Sequence, residues 1–238
     1  MDKKRQFQDI IKQSNNIVFF GGAGVSTESN IPDFRSVDGL YNTKYKYPPE
    51  TILSHTFFMN NTEEFFKFYR DKMLVPNARP NITHEKLAEL EKENKLKAIV
   101  TQNIDGLHEM AGSKNVLNLH GTVYKNHCMY CGKSYPMEYV KDSTGIPRCE
   151  VCGGIVKPDV VLYEENLDET VLEKSVNAIA EAEVLIVGGT SLTVYPAAGL
   201  INYFNGKHLI LINKQQTRYD NIADLVFNES LGEIFRLI

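Results

Sequence analysis

Short, unbroken apolar runs constrain this chain more than any other feature. They fall at 17–20 (IVFF), 98–101 (AIVT), 116–119 (VLNL), 160–163 (VVLY), 184–187 (VLIV), 209–212 (LILI) and 225–227 (LVF). Successive strand residues face opposite ways, so a strand apolar at every position must be covered on both faces. Helical stretches separate several of these runs: Phe7, Ile10 and Ile11 recur at helical spacing within 1–15, and 83–94, 168–182 and about 195–204 read the same way. Asp168 stands where a short carboxylate can accept the free amides of a first helical turn. The expected fold class is α/β, a Rossmann-like parallel sheet with helices on both faces.

Two stretches break the rhythm. Residues 29–75 are rich in Pro, Tyr and Phe, with a helix expected near 62–74, and residues 122–157 hold all four cysteines among turn-forming glycines. The expected division is a Rossmann-like domain of 1–28, 76–121 and 158–238, with 29–75 and 122–157 forming a small lobe. The cysteines form two knuckles, Cys128-x2-Cys131 and Cys149-x2-Cys152, 17 residues apart. Each knuckle puts two thiolates on one side of a tight turn, and two knuckles complete a tetrahedron around zinc. Four sulfurs leave no open position, so this Zn2+ is structural, and its binding energy is folding energy for a lobe with little core. His127 is read as a bystander.

Net charge is −4, from 26 basic and 30 acidic residues that are interspersed along the chain. That excludes the clustered cationic face of a nucleic-acid binder. The N-terminus carries charge with no apolar segment after it, and no run approaches the roughly 20 apolar residues that span a bilayer. The expectation is a cytoplasmic, monomeric protein without a membrane partner.

Ligand crevices in open α/β sheets lie beyond the carboxyl ends of the strands, and the candidate chemistry sits there. After the first run comes GGAGVST, whose Ala23 and Gly24 lie in a turn close to GxGxxG but with Thr27 at the third glycine position. Such a turn brings backbone N–H groups near a phosphate, or is a tight turn with no ligand. After the second run come Gln102, Asn103, Ile104 and Asp105, two amides and a carboxylate where the chain leaves the core. His120 ends the third run: with a pKa of about 6.5 it suits a general base, against the competing reading of a satisfied structural histidine. Phe34 and Arg35 offer an aromatic face beside a guanidinium, or a loop anchor. Gly189, Thr190 and Ser191 follow the 184–187 run as phosphate or ribose donors or as a helix cap, and Asn213 follows the 209–212 run.

Taken in order, GAGVS, PDFRS, TQNIDGLH, HG, the paired CxxC, KPDVVLY, GTSL with Pro-Ala-Ala, and LIN resemble the sirtuins, NAD-dependent protein-lysine deacylases, over about residues 15–232. The short bacterial form is the nearest in outline. The resemblance implies that Ala23, Gly24, Thr27, Phe34, Arg35, Gln102, Asn103 and His120 line an NAD site, with Gly189, Thr190, Ser191, Asn213 and Ser230 toward its adenosine half. It implies that Ile104 and Asp105 hold the nicotinamide carboxamide, that Asn103 orders a water or a ribose hydroxyl, and that His120 and Asn103 are catalytic. Acetyl or another short neutral acyl group would leave an acetylated lysine of a protein or peptide, yielding nicotinamide, O-acetyl-ADP-ribose and free lysine. Val160, Val161, Leu162 and Tyr163 would pair with the peptide as an added strand. An NAD glycohydrolase or ADP-ribosyltransferase, or a non-catalytic NAD sensor, are the competing readings.

Three positions depart from the family pattern. Asn30 replaces the usual Gly before Ile-Pro-Asp-Phe-Arg, and Asn tolerates a left-handed backbone. Glu164 replaces the Gly of Phe-Gly-Glu, which bears on the peptide loop. The Tyr-x-x-Arg pair of succinyl-preferring relatives has no match at Phe66 and Tyr69, unless Arg70 substitutes from one turn away.

Overall fold

A computed structural model describes residues 2–35, 39–42 and 45–238. Six strands form one parallel sheet: β1 (Ile17–Gly21), β2 (Leu96–Thr101), β3 (Val116–Asn118), then β7 (Val184–Gly188), β8 (His208–Ile212) and β9 (Leu225–Phe227). Their spatial order is β3-β2-β1-β7-β8-β9. The order reverses between β1 and β7, which makes their carboxyl ends the switch point of a doubly wound sheet.

Alternation along each strand feeds two cores. Ile17 and Phe19 of β1, with Ile186 and Ile210, pack under Phe7, Ile10, Leu87 and Phe235. Val18 and Phe20, with Leu185, Val187 and Leu211, pack under Ile179 and Ala197 to Ile201 on the other face. Helices Lys3–Gln13 and Ile82–Lys92 therefore lie on one side and Glu169–Glu181 on the other. Asp168 caps the last of these, its carboxylate accepting the Val171 N–H at 2.9 Å. One irregularity interrupts the sheet: Ile17 aligns with Leu96 but Val18 with Ala98, so Lys97 is an extra, exposed residue on β2.

The insertions form a second unit of structure. A three-stranded antiparallel sheet runs β5-β4-β6, from β4 (Gly121–Cys128), β5 (Ser134–Pro136) and β6 (Val156–Val160). Beside it, the helix Thr62–Phe68 passes into a single wider turn over Tyr69–Met73. Phe57, Phe58, Phe65, Phe66, Val123, Val156, Val160 and Leu162 share one core. The run at 160–163 is therefore not a strand of the parallel sheet. Only Val160 is in a strand, antiparallel to Gly121, and its side chain and that of Leu162 are buried against the aromatic helices. A fully apolar run reports burial on both sides without saying which sheet supplies it. The segment expected as a helix near 195–204 is a tighter 3-10 helix, Ala197–Tyr203.

Candidate active site

One transverse row of the parallel sheet places the candidate site. Asn118 aligns with Thr101, Thr101 with Gly21, Gly21 with Gly188, Gly188 with Ile212 and Ile212 with Phe227. These are the last residues of the six strands, so His120, Gln102–Asp105, the 22–27 turn, Gly189–Ser191, Asn213 and Ser230 all leave from the same edge. Gln102 N–H donates to Gly21 O at 3.0 Å and Leu119 N–H to Thr101 O at 2.9 Å, stitching the first three exits together.

The glycines of the first turn serve backbone packing. Gly22 N–H donates to Gly188 O at 3.1 Å and Gly24 N–H to Gly189 O at 2.8 Å. A Cβ on Gly24 would stand 2.7 Å from the Gly189 Cα. These two amides are thus already committed to the neighbouring exit, and the chain continues as two 3-10 turns, Ala23–Val25 and Thr27–Ser29. Asn30 ends the second in the left-handed region at φ 61°, as its side chain permits.

His120 sits at the opposite lip. Its Nδ1 lies 3.0 Å from the Gln102 carbonyl, which can only accept, so Nδ1 carries the proton and Nε2 keeps a free lone pair. Burial holds its pKa below the ordinary 6.5, partly offset by that backbone bond, and the ring is neutral at pH 7. Across the floor, Asp105 and Asn103 are both 9% exposed. Asp105 accepts the Ser26 hydroxyl at 2.6 Å on one oxygen and Leu107 N–H at 3.0 Å on the other. Asn103 Nδ2 donates to the same Ser26 hydroxyl at 3.1 Å. Ser26 was not singled out from sequence, although it is the serine of GAGVS; it joins the glycine turn to Asn103 and Asp105 of the next exit. Desolvation raises the Asp105 pKa, against the two hydrogen bonds that favour its carboxylate. Ile104 is half-buried, one lone pair of its carbonyl taken by Val123 N–H at 3.0 Å.

Toward β8, Asn213 Oδ1 accepts Thr190 N–H at 2.9 Å, and the Thr190 hydroxyl accepts from Gln102 Nε2 at 3.0 Å. Among the described residues, the buried Asn213 Nδ2 has no partner, which makes it a donor suited to a polar ligand. Ser191 is exposed and bonds Thr193. Ser230 caps the helix Leu231–Phe235, accepting Glu233 N–H, so its hydroxyl has a structural task at this edge. Thr27 donates to Gly24 O at 3.0 Å. Phe34 and Arg35 lie on a separate loop, where both contact Tyr41: the Phe34 ring edge-on at 5.5 Å, the Arg35 guanidinium 5.4 Å above its ring. Ser36, the end of PDFRS, lies outside the described residues.

The segment expected to receive a peptide is heavily bonded within the chain. Val161 N–H donates to His120 O at 2.9 Å, Tyr163 N–H to Leu53 O at 2.9 Å, and His55 N–H to Tyr163 O at 2.9 Å. Lys157 Nζ reaches Val160 O at 3.0 Å and the Glu165 carboxylate at 3.1 Å, while Leu162 N–H donates to the same carboxylate at 2.9 Å. These bonds take the N–H groups of Val161, Leu162 and Tyr163 and the carbonyls of Val160 and Tyr163. Glu164 takes a left-handed φ of 74° and accepts Thr56 N–H at 2.8 Å. Arg70 donates to Gly145 O at 2.6 Å and to Ser143, which ties it to the cysteine-bearing segment.

The cysteine sulfurs all lie within 4.8 Å of one another, with Cys128–Cys152 at 3.4 Å and Cys131–Cys149 at 3.6 Å. A tetrahedron with Zn–S near 2.3 Å has edges of about 3.8 Å, so this arrangement fits zinc. Cys128 Sγ also accepts the N–H of Tyr130 and Cys131, and the Tyr135 hydroxyl donates to Cys149 at 3.1 Å, both favouring thiolates. His127 pairs with Asp159 and takes no part.

Sheet order and a glycine-packed switch point define a doubly wound α/β fold of the dinucleotide-binding type, with a histidine whose Nε2 is free and a cluster of four cysteines suited to a metal ion beside it. The Sir2 family model matches residues 22–196. The chain belongs to the Sir2 family. It is 63% identical over 241 residues to the NAD-dependent protein deacetylase of Clostridium acetobutylicum, covering all of this chain and 98% of that one. Among solved structures, a Sir2–p53 peptide–NAD+ complex matches at a TM-score of 0.88 and 37% identity, covering 98% of this chain and 95% of that one. Sir2 bound to acetylated peptide matches at a TM-score of 0.86 and 36% identity, with 98% and 95% covered. Among the described residues, no helix is long and apolar enough to cross a membrane.

Proposed function

We propose that this chain removes acetyl groups from lysine side chains of proteins at the expense of NAD, yielding nicotinamide, O-acetyl-ADP-ribose and free lysine. NAD, when bound, supplies a sugar carbon that becomes open to attack by the acetyl oxygen as nicotinamide leaves. The observation that carries the reading is the His120 tautomer: Nδ1–H committed to Gln102 O, Nε2 unprotonated, at the edge shared with Asn103 and Asp105. His120 accepts a proton from a ribose hydroxyl at Nε2. Asp105, held by Ser26 and Leu107, orients the nicotinamide carboxamide together with the Ile104 backbone, and Asn103 orders a water or hydroxyl beside it.

Ala23, Gly24, Thr27, Phe34, Arg35 and Gln102 line the rest of the NAD site, with Gly189, Thr190, Ser191, Asn213 and Ser230 toward adenosine. The unpartnered Asn213 Nδ2 supports that end of the assignment. Cys128, Cys131, Cys149 and Cys152 hold a structural Zn2+. The acetylated peptide lies along Val160, Val161, Leu162 and Tyr163, using the main-chain groups that their internal partners leave. Arg70 is engaged elsewhere, which favours a short neutral acyl group. The same reading divides the chain into a sheet domain and a small lobe at the boundaries given above, and keeps it a cytoplasmic monomer that binds neither nucleic acid nor membrane.

The test is incubation with NAD and an acetyl-lysine peptide. Nicotinamide release that requires the peptide is the expected result. Release without peptide would replace the proposal with a glycohydrolase, and no release would leave an NAD sensor.

A further inference from the structure

The chain leaving β2 is gripped along its length by the chain leaving β3. Leu119 N–H donates to Thr101 O at 2.9 Å, His120 Nδ1–H to Gln102 O at 3.0 Å, and Val123 N–H to Ile104 O at 3.0 Å. The next contact in the series has no hydrogen bond. The Tyr124 ring covers Gly106, where a Cβ would stand 2.5 Å from the ring's Cε2. Residues 119–124 thus run beside 101–106 in step. Between these contacts, Asn103 and Asp105 turn their side chains to Ser26.

An irregularity in β4 frees this stretch to make the grip. Gly121 pairs with Val160 and Asn126 with Pro158, so five steps along β4 answer two along β6, and the pairing is interrupted between them. Such a bulge bends a strand and re-aims its side chains. Val123 enters the aromatic core of the small lobe, against which Ile104 also packs. Tyr124 points the other way, onto Gly106, and keeps 37% of its surface exposed. Gly106 takes φ 68°, and the turn it makes brings Leu107 N–H back to Asp105 at 3.0 Å. Glycine has the most backbone freedom to lose on ordering. Gly106 has no side chain to pack, and the Tyr124 ring fills that place. Burial and the nearby Asp105 charge hold the Tyr124 hydroxyl above its ordinary pKa, so the ring is neutral beside the carboxylate.

We infer that Tyr124 is a positioning residue for the nicotinamide end of the site: its ring fixes the Gly106 turn, and through that turn the Asp105 carboxylate, relative to His120 four residues before it. The main-chain bonds hold 101–104 whatever stands at position 124, so losing the ring loosens the far end of the exit, where Asp105 is aimed. The proposed peptide segment is held separately, by Leu53, His55 and Glu165, and does not depend on this contact. The inference rests on the deacetylase reading above, which puts the nicotinamide carboxamide on Asp105.

The experiment measures how strongly added nicotinamide slows deacetylation of an acetyl-lysine peptide, since a product that leaves a pocket also rebinds it. Tyr124→Ala is expected to raise the nicotinamide inhibition constant by about 5- to 50-fold, the scale of a small misplacement of a binding group, while peptide KM stays within about twofold. Tyr124→Phe keeps the ring and holds both within about twofold. A ring that served stability alone would lower kcat through lost folded protein and leave the inhibition constant unmoved. Gly106→Ala drives a methyl into the ring and raises the constant too. It raises it less when Tyr124 is already alanine, because only the backbone strain then remains. An inhibition constant unmoved by Tyr124→Ala, a peptide KM that rises in proportion to it, or Tyr124→Phe behaving like Tyr124→Ala would overturn the positioning role. So would a Gly106→Ala effect of equal size in both backgrounds. An unaltered protein that releases no nicotinamide with peptide refutes the deacetylase reading itself.

Discussion

Ser26 offers the sharpest test of how the floor of the site is held. Its hydroxyl donates to Asp105 at 2.6 Å and accepts from Asn103 at 3.1 Å, and it is 1% exposed. Ser26→Ala removes one hydrogen bond to a charged group, about 1.5–3 kcal/mol, and one neutral bond, about 0.5–1.5 kcal/mol. Asp105 keeps Leu107 N–H, so the expected total is about 2–4 kcal/mol. At about 2–4 °C per kcal/mol for a chain of this size, the Tm should fall by about 4–16 °C. The loss also has a direction in pH. The lost bond favoured the carboxylate, so Asp105, already raised by burial, rises further and the acid limb of the nicotinamide-release profile moves to higher pH. Differential scanning calorimetry and a pH–rate profile read both effects. A Tm within about 1 °C of the unaltered protein, with an unmoved acid limb, would show that the Ser26 bridge holds nothing.

His120→Ala should cut peptide-dependent nicotinamide release by about 10²- to 10⁴-fold while dinucleotide affinity stays within a few-fold; retained turnover would remove the proton-acceptor role. Chelation, or Cys131→Ala, should unfold the antiparallel sheet and abolish activity, and a melting profile indifferent to metal removal would contradict the structural zinc. Acid stability tests the buried pair His84 and His108, whose rings lie 4.7 Å apart and are pushed by burial down to about 4 and about 3. Because both folded values lie below the ordinary 6.5, the unfolded chain binds protons that the fold refuses. Their stability is present above about pH 6.5 and lost as pH falls toward 4, at about 2.7 kcal/mol per pH unit for the two. His108→Gln should lower that slope in urea titrations by about one proton; an unchanged slope would refute the assignment.

The parallel sheet was legible because burial on both faces leaves no polar position in a strand, and the placement of Gly24, Asp105 and His120 just beyond strand ends was legible because polar or small residues interrupt that pattern there. The 160–163 run misled for the same reason, since the aromatic helices of the small lobe bury Val160 and Leu162 as thoroughly as a parallel sheet would. The zinc knuckles needed no tertiary information, as each is a local turn. Ser26 was hidden because its importance lies in two partners more than seventy positions away. The sequence leaves the glycine turn open between a phosphate-facing loop and a tight turn, and it is silent on Gly22 and Gly24 giving their amides to Gly188 and Gly189, contacts that only the meeting of β1 and β7 creates. Glu164 shows the reverse limit: a residue unfavoured at φ 74° persists there because Thr56 N–H holds its carboxylate.

The supernumerary Lys97 is a bulge in an otherwise one-to-one pairing. With Leu96 matched to Ile17 and Ala98 to Val18, the five pairs that end at Gly21 and Thr101 use five of the six residues of β2. Excising Lys97 would leave a regular strand with Thr101 still beside Gly21, and Leu96, Ala98, Ile99 and Val100 would keep their alternate faces. The extra lysine thus sends a charged side chain outward at the start of β2 without altering where Gln102 to Asp105 leave its other end.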